Sequence, residues 1–387
     1  MKILISRISP SHTVGGAELS ARDICRSLIK LGHKPVYMTN LRSSRALKDI
    51  PRSYIINVPL GRKYPLTVVK IIRPFVLISL LMHYLVAIIK FRPDVLSPQS
   101  RDDQAIATAL GNIFSIPTIW RDPGDLKPQL SHEIKGILQK LNRQAQKKAI
   151  INTTAIFTLN EDERQYILKN IPQLDAKKIS VIQSNILFDD YNKLIENKKS
   201  KGDKKKITIG YIARLEKHKG AQYLIKSFIK LQHKCNGQLT LLIAGDGSYK
   251  RELEKLAKDT SGIKFLGMVD DVSEVFNKID IFVQPAEFEG WGRNIKEAKY
   301  FEKAIIASSV GGIKKQITHN QNGLLFNAGD EDALYKNLLT LIDNPEKRTY
   351  LSKNARKSAL NEGDWIYTVE KEIIPLFEKY AKNNKKD

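Results

Sequence analysis

Short apolar runs alternate with amphipathic stretches along most of this 387-residue chain. Residues 2–8 form a strand-like run, Gly15 and Gly16 make a turn, residues 17–31 carry apolar side chains at helical spacing, and residues 35–38 form a second run. The spacing predicts a βαβ opening. The alternation continues with a long apolar helix ending at Ile89, strands over 94–96 and 118–120, helices from Gln104 and over 131–149, a strand over 155–159, a helix from Asn160 and a strand over 179–182. Such a pattern implies a parallel, doubly wound sheet in an α/β protein.

A lysine-rich stretch, DDYNKLIENKKSKGDKKK, then reads as a solvated linker. Beyond it the βα logic resumes, with apolar runs at 207–212, 239–244, 263–266, 281–284 and 304–308, a further element over 272–277, and helices from Ala221, Tyr249, Asn294 and Asp330. Two Rossmann-like halves facing a cleft are the simplest architecture: 1–185, a linker over 186–206, 207–363, and a tail over 364–387. In the tail, Trp365, Val369, Ile373, Leu376 and Tyr380 recur at helical spacing, with a kink expected at Pro375.

Charge narrows the choice of partners. With 64 Lys and Arg against 41 Asp and Glu the net charge is +23, and residues 1–185 hold 28 basic against 13 acidic side chains. Such a surplus favours anionic partners, among them an acidic membrane face or phosphorylated small molecules. Nucleic acid is not expected, because the basic residues are scattered over helices without interleaved aromatics. Cys25 and Cys235 read as small core residues, which argues against a disulfide framework or a zinc site and for a reducing, cytoplasmic compartment. The N-terminus lacks the apolar core and cleavage site of a signal peptide. The longest apolar run, PFVLISLLMHYLVAII over 74–89, is shorter than a bilayer requires. It reads as a buried helix or as one lying at the inner membrane face.

The chemistry-bearing segments follow strands. Arg214 and Lys219 lie just past 207–212, where open α/β sheets bind ligands, and two such cations suit a diphosphate. After 281–284 comes a loop holding Glu289, Gly290, Trp291 and Gly292, which leads into a helix bearing Asn294, Ile295 and Glu297. Its glycines allow close backbone approach, its helix N-terminus suits phosphate, and its carboxylates accept from sugar hydroxyls. Glu297 taken alone equally fits a helix first-turn acid.

These segments, with Gly245-Asp246-Gly247, Ser309-Val310-Gly311-Gly312 and Asn322-Gly323-Leu324-Leu325-Phe326, resemble in order and spacing the family 4 (group 1) glycosyltransferases of GT-B fold. Gly15-Gly16-Ala17-Glu18 and Arg92-Pro93-Asp94-Val95 extend the resemblance into the first half, and the helix at Trp365 resembles the family's closing helix. The resemblance implies retaining, metal-independent transfer of a sugar from a nucleoside diphosphate to a glycan or lipid-linked acceptor, with no cofactor. It assigns the diphosphate to Arg214 and Lys219 and the ribose to Glu297. The donor sugar goes to Glu289 with the backbone of Gly290, Trp291 and Gly292. Further phosphate contacts come from the N–H groups of Asn294 and Ile295, and loop closure from Gly15 and Gly16. The acceptor attacks the face from which the diphosphate leaves, and a phosphate oxygen takes its proton.

The first half departs from the family pattern. Trp120-Arg121-Asp122 stands where a His-Asp pair is usual, which makes Arg121 and Asp122 acceptor-side candidates, with Arg121 suited to an anion rather than to base chemistry. Ser97-Pro98-Gln99-Ser100, Asn185 without a following Gly, and Lys303-Ala304 depart likewise. For a metal, Asp330-Glu331-Asp332 reads as a helix cap, Asp102–Asp103 and Asp270–Asp271 as surface turns, and His12 and His319 lack partners at ligand spacing. The alternatives are a nucleotide-sugar epimerase of the same fold and a degenerate sugar-binding or anion-binding protein.

Overall fold

A computed structural model describes residues 1–8, 14–40, 47–58, 66–122, 124, 137–192, 206–234, 239–258 and 260–383. The chain divides into two compact units, Met1–Asn185 with Trp365–Asp387, and Ile186–Asp364.

In the first unit the order is β1 (Lys2–Arg7), α1 (Gly16–Lys30), β2 (Lys34–Thr39), β3 (Ile55–Asn57), α2 (Leu66–Phe91), β4 (Val95–Pro98), α3 (Arg101–Ile113), β5 (Ile119–Arg121), α4 (Ile137–Asn152), β6 (Ala155–Thr158), α5 (Glu161–Asn170) and β7 (Ile179–Val181). The strands pair in parallel as β3-β2-β1-β4 and β5-β6-β7. A parallel bridge between Leu96 and Thr118 joins the two sets. The chain winds one way from β1 to β3 and the other way from β4 onward, so the switch point lies between β1 and β4, whose registers pair Ile3 with Val95 and Ile5 with Ser97. One face of this sheet is covered by apolar side chains such as Leu80, Tyr84 and Ala87 of α2 and Leu110 of α3.

The tail also belongs to this unit. Its helix runs as Trp365–Thr368, a π-helical turn Val369–Ile373 and Ile374–Asn383. Trp365, Val369, Ile373 and Phe377 are fully buried. That strict four-residue step exceeds the 3.6 residues of an α-turn, and the wider π-turn absorbs the difference just before Pro375, whose missing N–H would break an α-helical ladder. Phe377 therefore takes the inward position that uninterrupted α-helical spacing assigns to Leu376, and the irregularity at Pro375 is a π-turn.

In the second unit β8 (Ile207–Ile212), β9 (Leu239–Ala244), β10 (Ile263–Gly267), β11 (Ile281–Gln284), β12 (Ala304–Ser308) and β13 (Leu324–Phe326) form one parallel sheet ordered β10-β9-β8-β11-β12-β13. The switch point falls between β8 and β11, where Ile209 pairs with Ile281. One face is sealed by Phe228, Leu224, Leu334 and Leu338, the other by Phe276, Phe282, Phe301 and Ile295. Phe276 stacks on Phe301 with ring centroids 5.2 Å apart. Ile186 and Tyr191, inside the stretch read as linker, are buried in this second core; residues 193–205 of that stretch lie outside the described residues.

Candidate active site

The site grows from the β8–β11 switch point. Past β8 the chain turns through Lys217–Lys219 into Gly220, which takes φ +78°; a Cβ there would stand 1.8 Å from the Pro285 carbonyl oxygen. Only glycine allows that approach, which sets the β8 loop against the end of β11. Lys219 is thereby turned inward: its Nζ is 2.9 Å from Glu289 Oε2, and the Gln284 amide reaches the same oxygen at 3.5 Å. Arg214 is exposed on the same loop. The field is positive: partial burial first, then the Lys219 and Arg214 cations, hold His218 below the ordinary imidazole range.

Asn294 ties the two strand ends together. Its amide donates to the Ile212 carbonyl at 2.9 Å and to Gln284 Oε1 at 2.8 Å. Asn294 lies in α9, numbering α6 (Ala221–Lys234), α7 (Lys250–Ala257), α8 (Ser273–Lys278) and α9 (Arg293–Tyr300) along the chain. The loop before α9 rests on a second glycine pair. Gly311 has φ +43°, a Cβ on it would be 1.8 Å from the Glu289 carbonyl oxygen, and the Gly312 N–H donates to the Gly290 carbonyl at 3.0 Å. The backbone carrying Glu289, Gly290 and Trp291 is thus clamped from beneath. Gly292 starts the helix in a left-handed conformation. Trp291 Nε1 is a buried donor with no hydrogen-bond partner among the described residues.

Glu297 is the fifth residue of α9, past the first turn, so the dipole of the helix end does not account for it. It is buried, and its Oε1 accepts from the Tyr191 hydroxyl at 2.8 Å and from Arg293 Nε at 3.0 Å. Two donors on one oxygen fix the carboxylate. The Ile295 N–H departs from expectation: it donates to the Gly292 carbonyl at 2.9 Å, so the helix itself uses the donor that was assigned to phosphate.

The first-unit candidates stand at the β1–β4 switch point and around it. Gly15 caps α1, and its N–H donates to Glu18 Oε2 at 3.0 Å. Glu18 Oε1 in turn receives Arg7 Nε at 3.1 Å and a terminal guanidinium nitrogen at 2.9 Å. Burial alone would raise the Glu18 pKa, but the Arg7 charge and these hydrogen bonds outweigh it and hold the carboxyl below its usual range. Gly16, the first residue of α1, is exposed. Arg121 is buried rather than open to an anion: it donates to Gln99 Oε1 at 3.2 Å and to the Ser184 hydroxyl at 3.5 Å, with its guanidinium 5.8 Å from the Trp365 ring centre. Asp122 is buried and accepts from the Gly124 N–H at 3.1 Å.

Among the acid pairs, Asp103 is a correction. It lies fully buried at the start of α3, accepting from the Ser100 N–H at 3.1 Å, and not in a surface turn. The side chain of Asp102 and His12 lie outside the described residues. Asp271 accepts from Ser273 N–H, Asp330 caps the helix Glu331–Asp343, and His319 Nδ1 accepts from Leu325 N–H. Among the described residues no three His, Cys, Asp or Glu side chains gather as metal ligands.

Comparison with known proteins identifies the second unit. Residues 192–358 match the family of glycosyl transferases group 1. This segment is similar to the group 1 glycosyl transferases. Over 231 residues the chain is 26% identical to an uncharacterised glycosyltransferase of Methanocaldococcus jannaschii, covering 58% of each. Over 150 residues it is 33% identical to a Campylobacter jejuni enzyme named as an alpha-1,4-N-acetyl-D-galactosaminyltransferase acting on a GalNAc-extended diNAcBac-PP-undecaprenol, covering 38% of this chain and 42% of that one. The chain thus spans about half the length of the curated relatives it matches. Anabaena HepE in complex with UDP and glucose superposes with a TM-score of 0.76 at 19% identity, over 97% of this chain and 99% of that one, which assigns the GT-B fold.

Arg214, Lys219, Glu289, Gly290, Trp291, Gly292, Asn294, Ile295 and Glu297 all fall within the glycosyl transferase segment. Gly15, Gly16, Arg121 and Asp122 fall outside it. Sequence reasoning missed Tyr191, Gln284 and Arg293, which hold Glu297 and Glu289 in place. The signal for Tyr191 was its spacing from Ile186 and Phe188 inside a stretch dominated by lysine.

Proposed function

We propose that the chain is a retaining glycosyltransferase of the family 4 type, moving a sugar from a nucleoside diphosphate to a glycan or lipid-linked acceptor in cell-surface polysaccharide synthesis. One observation carries the reading: Lys219 and Glu289, paired at 2.9 Å, share the β8–β11 switch point with exposed Arg214, a glycine-clamped loop and the fixed carboxylate of Glu297. Arg214 and Lys219 neutralise the departing diphosphate, and Glu289 with the loop backbone orients the donor sugar. Glu297 Oε2 accepts from ribose hydroxyls, and Asn294 contributes its N–H to phosphate. The anomeric carbon loses its bond to the phosphate oxygen and gains one to the acceptor oxygen. The acceptor proton passes to a phosphate oxygen, so no protein nucleophile is needed. Fixed cations supply the charge a metal would otherwise bring, and the reaction proceeds in EDTA. The acceptors named for the Campylobacter relative support a lipid diphosphate-linked acceptor at the inner membrane face.

The test is a thermal-shift panel of UDP, GDP, ADP and dTDP sugars without metal, since saturation near 100 times Kd adds about 2.7 kcal/mol. One nucleotide should raise the melting temperature, and Glu297→Ala should abolish that response. Lys219→Ala should slow transfer by about 100- to 1000-fold. A flat response to every nucleoside diphosphate from folded protein would overturn the proposal.

A further inference from the structure

The helix α2 shows two apolar faces. Leu80, Tyr84, Ala87 and Ile88 are buried against the sheet, while Phe75, Ile78, Met82, Val86 and Ile89 recur on the other side at 53–72% exposure. Steps of three and four residues make them one stripe along the helix. A monomer rarely exposes so continuous an apolar surface without a use for it. At its carboxyl end the stripe meets Lys90 and Arg92, both exposed. Between residues 51 and 93 the sequence holds seven basic side chains and no acidic one. Ile113 and Phe114, exposed at the end of α3, lie at the same end of the same layer. Both helices follow right-handed crossovers that move in one direction across the sheet, and they pack together through Leu110, Ala87 and Ile88.

We infer that the outer face of α2 docks the first unit on an anionic lipid bilayer, its apolar stripe entering the headgroup boundary and the flanking cations meeting lipid phosphates. Charge selects this occupant. A second copy would bring the same acid-free basic segment face to face with itself, whereas acidic lipids neutralise it. Leu80, Tyr84, Ala87 and Ile88 hold one side of α2 against the sheet, so the helix offers a bilayer only its outer face and lies along the surface. The inference deepens the lipid-linked acceptor reading by naming the surface that reaches it.

The full chain is floated with vesicles of phosphatidylcholine alone and with vesicles rich in phosphatidylglycerol. The protein should float with the anionic vesicles, and combining Ile78→Gln, Met82→Gln and Ile89→Gln should cut the bound fraction by about tenfold. All three side chains are exposed, so the melting temperature and its response to nucleotide should stay as in the parent. Absence of flotation, or flotation unchanged in the triple variant, would overturn the inference, as would a dimer in sedimentation velocity that the triple variant abolishes. Vesicle binding lost in the triple variant but with a flat nucleotide response in the parent supports the docking surface and sinks the transferase reading alone.

Discussion

At the switch point of the second unit Arg214 is exposed and the paired Lys219 and Glu289 keep 11% and 18% of their side-chain surface. At the strand ends of the first unit Arg7, Glu18, Asp103 and Arg121 are buried and hold one another, neighbouring polar side chains or the backbone. Both units wind the same way and both gather charge where such sheets bind ligands, yet only one leaves that charge available. In the first unit the polar groups hold the Gly15 turn, the Gln99 segment and the tail helix in register. Charge at a switch point is therefore evidence for a ligand only when its hydrogen-bonding capacity is not already used.

The sharpest way to break this contrast is to remove one carboxylate from each unit. Glu18→Ala takes the carboxylate away from buried Arg7 and frees the Gly15 N–H, which should cost about 3–5 kcal/mol of stability. Urea unfolding followed by tryptophan emission reads it, since Trp120 and Trp365 report on the first unit and Trp291 on the second. Glu289→Ala should cost less, about 1–3 kcal/mol in the same experiment, because the Lys219–Glu289 pair keeps more solvent contact than Arg7–Glu18. Equal losses in the two variants would mean that both pairs are structural.

How much was legible in the sequence follows the same division. The βα alternation located most strands because parallel sheets demand that periodicity, though the three-residue edge strands β3 and β13 escaped it, and the second-unit site was visible because Arg214 to Gly220 and Glu289 to Glu297 are each contiguous. Tyr191 reaches Glu297 across 106 residues of sequence, and no local spacing reports such a contact. Arg121 shows the opposite failure. Its place after a strand suggested an anion site, but Gln99 and Ser184, remote in sequence, take its terminal nitrogens, and Trp365 covers its face. Asp103 was misread because adjacent acids are usually solvated, whereas here Ser100 and the start of α3 draw one of them into the core.

That buried acid sharpens the contrast through pH. Burial pushes the Asp103 carboxyl up to about 7 against the pull of Ser6, Ser100 and Arg7. The folded state then holds a proton that the unfolded chain has lost, so the contribution is full below the ordinary aspartate value of 3.8 and fades as pH rises to about 7. Between about pH 5 and about pH 8 first-unit stability should fall by about 2–3 kcal/mol, and Asp103→Asn should flatten that slope. A parent whose stability is level over this range, measured by urea unfolding, would show that the site tolerates the charge.

The smallest effect tests whether Glu297 is held for a ligand or for the fold. Tyr191→Phe deletes one donor to Glu297 Oε1 and leaves the Arg293 bond and the aromatic contact with Phe301, at 5.4 Å between ring centres, in place. Stability should drop by about 1 kcal/mol, the net worth of a buried hydrogen bond. If the carboxylate is oriented for the ribose, KM for the donor should rise about fivefold with kcat unchanged, since binding common to ground and transition states is lost. Thr368→Val supplies the first-unit counterpart, removing the bond that Asn185 Nδ2 donates at 3.2 Å. It should cost similar stability and leave donor KM alone. A donor KM that responds equally to both substitutions would mean that the two units are coupled more tightly than their separate polar networks imply.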